Sequence, residues 1–172
     1  GELFASFMDE DRIEQRGLEP LHAVMEQIAE AHAEGRDALL AQLGLLERGG
    51  SEGLWQLFID NDPGDPEKYV MFLEQGGIGL PDESYYRDEA FQQIRDAYRA
   101  HLERVFTLTG LDNPAERAAG VLEWETRLAS HHWDNVKSRD AEATYNPTTL
   151  DNLRTTLKGF PLDTWREASG IS

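Results

Sequence analysis

The stretch Gln75-Gly76-Gly77-Ile78-Gly79-Leu80-Pro81-Asp82-Glu83-Ser84-Tyr85-Tyr86 decides how this chain is organised. Gly76, Gly77 and Gly79 remove the Cβ atom from a backbone that must turn tightly or lie against another backbone. Pro81 then disfavours helical geometry at Leu80 and removes one amide donor. The chain is redirected here. Asp82 and Ser84 are both able to cap a helix that starts after the turn, because a short side-chain oxygen accepts from an orphan first-turn amide.

Working upstream, Leu54, Trp55, Leu57, Phe58 and Ile59 form a compact apolar run that ends in the turn cluster Asp60-Asn61-Asp62-Pro63-Gly64-Asp65-Pro66. Tyr69-Val70-Met71-Phe72-Leu73 returns from it. Runs this short, bounded by turn residues this strong, predict a two-stranded β-hairpin over about residues 54–75, with a helix begun by Pro66-Glu67 as the alternative to its second strand. An isolated hairpin is marginal in water, so its apolar side is expected to pack on helices. Downstream, Tyr86, Ala90, Phe91, Ile94, Ala97, Tyr98, Leu102, Val105 and Phe106 recur at three- and four-residue steps and predict one long helix over residues 82–109. Asn113-Pro114-Ala115-Glu116 then predicts a cap, a first-position proline and a third-position glutamate, opening a helix to about Trp133. Its stripe is Ala118, Val121, Leu122, Leu128, Ala129 and His132. Glu125 falls inside that stripe, which predicts a buried carboxylate with a cationic or hydroxyl partner, Arg95 and Tyr98 on the neighbouring helix being the candidates.

The flanks read as helices too. Leu3, Phe4, Phe7 and Met8 mark a helix face before Gly17, and Leu21, Val24, Met25, Ile28 and Ala29 a second helix over residues 18–33. Asp37 is the expected cap of a third, carrying Leu39, Leu40, Leu43 and Leu46 up to Gly49-Gly50. Residues 137–147 lack periodicity and read as an ordered loop. A capping box at residues 148–151 precedes Leu150, Leu153 and Leu157, and Phe160, Leu162 and Trp165 suggest a last short helix. The fold class is therefore mainly α, a multi-helix domain with one small β-hairpin. With 172 residues, the chain is long enough to bury roughly two-thirds of its unfolded surface as a single domain.

Composition excludes several functions. There is no cysteine, which rules out disulfides and thiolate metal sites in this segment and fits a reducing, cytoplasmic setting, with a secreted parent as the alternative. The 33 acidic residues against 16 basic ones give a formal net charge of −17, which repels phosphate backbones and anionic lipid. Nucleic acid and membrane are thus not expected partners, and no apolar run approaches the ~20 residues of a membrane span. No catalytic set is legible either. His22, His32 and His101 stand alone, while His131 and His132 are adjacent and hence roughly 100° apart on a helix, so neither makes the pair one turn apart that a helical zinc site needs. The chain has no nucleophile elbow and no Walker-type loop. The pair Glu123 and Glu125 carries little weight among so many acids.

Gly79-Leu80-Pro81-Asp82-Glu83-Ser84-Tyr85-Tyr86 resembles the Gly-Leu-Pro-x-x-x-Tyr-Tyr signature in the amino-terminal region of the neprilysin and endothelin-converting-enzyme family of zinc metallopeptidases. The resemblance runs through most of the chain. Phe7-Met8-Asp9 with Gly17-Leu18-Glu19-Pro20-Leu21 is similar to the family's entry segment, and Leu57-Phe58-Ile59 with Asp62 to its hairpin. Glu123-Trp124-Glu125-Thr126-Arg127-Leu128-Ala129 corresponds to its glutamate helix, and Arg139-Asp140 with Tyr145-Asn146-Pro147-Thr148-Thr149-Leu150 to its Arg-Asp…Tyr-Asn-x-x-Thr-Leu segment. The resemblance implies a helical lobe that caps a thermolysin-like zinc lobe and encloses a chamber admitting short peptides. Residues 1–172 would then be a single cap domain, a fragment of a longer metallopeptidase of bacterial type. Its partners would be the carboxy-terminal zinc lobe of the same chain and short peptide substrates. Zinc is implied for the parent enzyme only. The ligands, the general base and the substrate-anchoring Asn-Ala-x-Tyr segment are not among these residues, so no catalytic, cofactor or metal residue is assigned here. The contrasting expectation is an independent helical protein-binding or scaffold domain.

Overall fold

The computed structural model describes residues 1–171 and is mainly helical, with one antiparallel hairpin. Two compact units emerge from the pattern of backbone contacts, Gly1–Gly49 with the segment that begins at Pro161, and Gly50–Phe160. In the first unit, α1 (Glu2–Phe7) and α2 (Glu10–Arg16) are separated by Asp9, whose carboxylate accepts from the Arg12 amide. Leu3, Phe4, Phe7 and Met8 form the expected helix face but remain exposed. Gly17, at φ 48°, ends α2 in a backbone conformation that other residues rarely adopt. Helices α3 (Glu19–Glu34) and α4 (Arg36–Arg48) pair through a turn at Gly35. Gly35 itself starts α4, so Asp37 sits in the first turn and pairs with Arg36 instead of capping. Gly44 is in the middle of α4 and buried, because α10 (Leu162–Ala168) crosses there and seals the unit with Leu162 and Trp165.

In the second unit, β1 (Trp55–Asp62) pairs with β2 (Asp65–Gln75) in a register that places Leu57 opposite Leu73, Phe58 opposite Phe72 and Ile59 opposite Met71. Strand therefore wins over the helical alternative for the second run. The expected packing of the hairpin on helices is not found along its length, where Ile59, Tyr69, Met71 and Leu73 are exposed. The redirecting turn follows. Gly77 has φ 78°, and an added Cβ there would lie 2.8 Å from a Leu128 methyl carbon.

The single helix expected over residues 82–109 is instead α5 (Ser84–Arg87), a 3-10 turn (Glu89–Phe91) and α6 (Gln92–Leu108). The break falls at Asp88, which is extended, and two contacts explain it. Arg95 Nη1 donates to the carbonyls of Tyr85 (2.6 Å) and Asp88 (2.8 Å), acceptors that a continuous helix would use internally. Tyr85 also stacks on Phe91 with ring centroids 4.1 Å apart. Six positions apart on one helix, those rings would point roughly 240° away from each other. Helix α7 (Pro114–Ala129) packs on α6 and stops earlier than Trp133. Asn113 precedes it in the left-handed region at φ 56°, where its side chain makes no cap bond, since a capping residue needs an extended backbone to reach the first-turn amides. Residues 137–147 are ordered as a 3-10 turn (Lys137–Arg139) and α8 (Ala141–Thr144), the latter capped by Asp140. The cap of α9 (Leu150–Thr156) is Thr149, which accepts from the Asn152 amide, one position beyond the Thr148 that opens the expected box. Among the described residues no helix is long and apolar enough to cross a membrane.

Candidate functional site

The redirecting turn, α5, α6 and α7 converge on Glu125. Its carboxylate accepts from the Tyr86 hydroxyl (2.8 Å, on Oε2) and the Tyr98 hydroxyl (3.0 Å, on Oε1), and the residue is 8% exposed. Tyr98 is thus the hydroxyl partner that the helix stripe required. Arg95 is not, because main-chain carbonyls hold its guanidinium. Tyr86 is a partner that sequence reasoning missed. Its hydroxyl also accepts from the Leu80 amide at 2.9 Å, so one oxygen satisfies a buried donor and a buried acceptor at once. Gly79 makes room for this arrangement, since a Cβ there would lie 2.1 Å from the Tyr98 hydroxyl oxygen and 3.3 Å from Glu125 Oε1. Leu80, Tyr86 and Ala129 form the buried cluster around it, with Ile78, Tyr85, Tyr98 and Leu122 packed against them. Glycine, leucine and second tyrosine of the Gly-Leu-Pro-x-x-x-Tyr-Tyr motif therefore act together as one internal fastening.

Of the motif, Glu83 and Tyr86 line a pocket of about 400 Å³ together with Arg87, Thr126, Ala129, Ser130, His132 and Asp134. Glu83 is buried and both its oxygens take guanidinium bonds from Arg87, at 2.6 and 3.1 Å. Asp82 accepts from the Ser84 amide at 2.9 Å and the Asn135 side chain at 2.7 Å, and the Ser84 hydroxyl above all holds its carboxyl below the usual range. Amides of Lys137 and Val136 do the same for Asp134. Burial pushes the His132 imidazole down despite a hydrogen bond to the Gly76 carbonyl. Every charged group in the pocket is thus neutralised or hydrogen-bonded by its neighbours, which suits structural roles better than proton transfer.

A second fastening joins the hairpin tip to the 137–147 segment. Asp62 Oδ1 accepts from the Gly64 amide (2.9 Å) and from the Tyr145 hydroxyl (2.8 Å), and these two donors hold the Asp62 carboxyl below its ordinary value. A Cβ on Gly64 would stand 2.2 Å from that hydroxyl. Asp62 and Tyr145, 83 positions apart in sequence, are in this way brought together.

Of the histidines, His22, His32, His101 and His131 are exposed and only His132 enters the pocket. Glu123 is exposed while Glu125 is buried, so the two do not form an acid pair. Among the described residues no group of three or more His, Cys, Asp or Glu is placed to hold a metal ion.

Burial, and then the nearby Glu125 carboxylate, raise the phenols of Tyr86 and Tyr98 well above the ordinary value near 10. A folded-state pKa above the unfolded one means that the folded form keeps a proton the unfolded form gives up. The contribution is complete below the unfolded pKa and is lost as pH rises towards the folded one. Thermal melts from pH 8 upward are therefore expected to show a steep fall in stability beginning near pH 10, and a Tyr86→Phe, Tyr98→Phe double variant should show a shallower fall from a lower starting point. A slope unchanged in that variant would mean that other groups govern the alkaline limit.

Comparison with known proteins places these features. The model of peptidase family M13, drawn for its amino-terminal region, matches residues 1–172. Zinc metalloprotease Zmp1 of Mycobacterium tuberculosis in complex with an inhibitor is 39% identical, with a TM-score of 0.89 over 99% of this chain and 26% of that one. In its open state the same enzyme gives 40% identity and a TM-score of 0.91 over 98% of this chain and 26% of that one. Human endothelin-converting enzyme-like 1 is 31% identical over 167 residues, which is 88% of this chain and 21% of its own length. The chain thus spans about a fifth to a quarter of the relatives it matches. With its signature residues built into the fold as described and the match extending from end to end, the chain belongs to peptidase family M13 and corresponds to that family's amino-terminal region.

Proposed function

We propose that residues 1–172 form the non-catalytic helical cap of a zinc metalloendopeptidase, covering an active site that a carboxy-terminal lobe of the same polypeptide supplies. The observation that carries this reading is the occupation of the signature residues. Tyr86 is engaged with Glu125, and Tyr145 with Asp62, inside the segment, so these residues serve to shape a wall. Zinc would then be held by the remainder of the parent, a reading consistent with the lack of a three-ligand group among the described residues. The cap limits access to short peptides by its bulk, and its net charge of −17 attracts basic ones. A segment without cysteine is compatible with a cytoplasmic parent.

The full-length parent, assayed with matched basic and acidic peptides of equal length, is expected to cleave the basic one about tenfold faster at low ionic strength, with the ratio shrinking as salt screens the field. Chelation should abolish both activities. Equal rates at both salt concentrations would remove the electrostatic part of the reading. A parent that binds no zinc and cleaves neither peptide would remove the reading altogether and leave an independent scaffold domain.

A further inference from the structure

The hairpin carries more apolar surface than its own unit covers. Leu57-Phe58-Ile59 in β1 and Tyr69-Val70-Met71-Phe72-Leu73 in β2 are uninterrupted apolar runs. Directly opposed residues of an antiparallel pair share a face and successive residues alternate, so the register puts Leu57, Ile59, Tyr69, Met71 and Leu73 on one face and Phe58, Val70 and Phe72 on the other. Sheets with one solvated face alternate apolar and polar residues; continuous runs belong to strands covered on both sides. The hairpin's own unit does not supply that cover. Ile59 and Tyr69 are 72% and 73% exposed, and their neighbours Met71 and Leu73 are also exposed. The unit holds the hairpin at its root, where the Gln75 side chain exchanges hydrogen bonds with the Trp133 backbone and Trp55 meets Phe160 edge-on, and at its tip through Tyr145. Between root and tip the face built on Ile59 and Met71 is bare, although a two-stranded sheet needs such a face packed to be stable.

We propose that the Leu57, Ile59, Tyr69, Met71 and Leu73 face is a permanent docking surface for another segment of the same parent polypeptide, lying outside residues 1–172. This rests on the reading of the chain as part of a longer enzyme. The length of the relatives argues for that occupant, since about three-quarters of the Mycobacterium tuberculosis enzyme lies outside the part this chain matches. Charge argues against a second copy, because two chains each carrying −17 repel on approach. A passing peptide would leave the apolar runs exposed for most of the protein's life, which the sequence pattern does not suit.

The test uses the full-length parent. Residues 1–172 contain no cysteine, so Ile59→Cys introduces a single thiol here, and Asp151→Cys, at a side chain 89% exposed, serves as the reference. Maleimide modification, followed peptide by peptide with mass spectrometry, is expected to be at least about tenfold slower at position 59 than at position 151, as for a site reached only by local opening. A photoreactive amino acid at position 59 should cross-link within one molecule to residues beyond this segment. Met71→Cys, opposite Ile59 on the ladder, repeats the measurement if the first variant does not fold. Equal modification rates overturn the proposal, as do cross-linked dimers, protection that fades on dilution, or protection that appears only with added peptide. The functional reading fails separately, through absence of zinc-dependent cleavage, whatever position 59 reports.

Discussion

Replacing Glu125 by alanine is expected to lower the unfolding free energy by about 3 kcal/mol, roughly 10 °C in melting temperature for a chain of this size. The substitution removes the acceptor for two phenols, Tyr86 and Tyr98, and leaves a void in the buried cluster of Leu80, Tyr86 and Ala129. A buried donor without a partner costs about 1–3 kcal/mol, and Tyr86 is the more costly of the two because it is the more buried. Its oxygen also takes the Leu80 amide, so any movement of the ring to find water leaves that amide unsatisfied. Glu125→Gln keeps the shape and one carbonyl acceptor but turns an amide donor towards a hydroxyl that needs an acceptor, and about 1 kcal/mol of loss is expected. Urea denaturation followed by far-ultraviolet circular dichroism ranks the three proteins. If Glu125→Ala unfolds at the same urea concentration as the parent sequence, the fastening contributes nothing.

Much of this arrangement is legible in the sequence, and what is missing has identifiable causes. Glu125 stands out because a carboxylate interrupts the apolar stripe of α7, and the candidate Tyr98 follows from the adjacent helix. Tyr86 does not, because it lies 39 positions away on the short helix α5, and α5 is hidden from a periodicity argument that runs straight through it. Apolar residues at three- and four-residue steps persist across Asp88 even though the backbone there is extended. What breaks the helix is the Arg95 guanidinium reaching back to two carbonyls, a contact that no spacing rule encodes. The hairpin is legible because its boundaries are turn residues with local causes. Its exposure is not, since the same apolar runs that announce the strands also imply a cover, which the hairpin's own unit does not supply. Asn113 illustrates the opposite failure, in which the residue type suits a cap and the left-handed backbone prevents it. In the signature, the resemblance identifies which residues matter, but only their geometry explains why: Gly79 admits two side chains that a Cβ would displace.

The largest single effect in the other unit is expected at Trp165, where truncation to alanine should cost about 3–5 kcal/mol. Trp165 is 1% exposed, the largest fully buried side chain among the described residues, and its indole nitrogen donates to Glu47 on α4. Alanine removes both the ring that joins α10 to α4 and the donor to that carboxylate. Trp165→Phe restores most of the volume without the donor, and about 1–2 kcal/mol of loss is expected, which separates packing from hydrogen bonding. Gly44 tests the same contact from the opposite side. A Cβ added there would lie 2.6 Å from the Trp165 carbonyl oxygen, 2.9 Å from the Ser169 hydroxyl and 3.0 Å from the Ala168 Cβ. The nearest of these is backbone and cannot rotate away, so the helices must separate; Gly44→Ala should cost about 1–3 kcal/mol even though alanine is the better helix former. The sign is the informative part. An exposed helical glycine would give stabilisation on the same substitution, so a higher denaturation midpoint for Gly44→Ala would show that α10 does not sit against α4 at this distance. A lower one, alongside the ordering of the two Trp165 variants, identifies the crossing of α4 and α10 as what holds the first unit together.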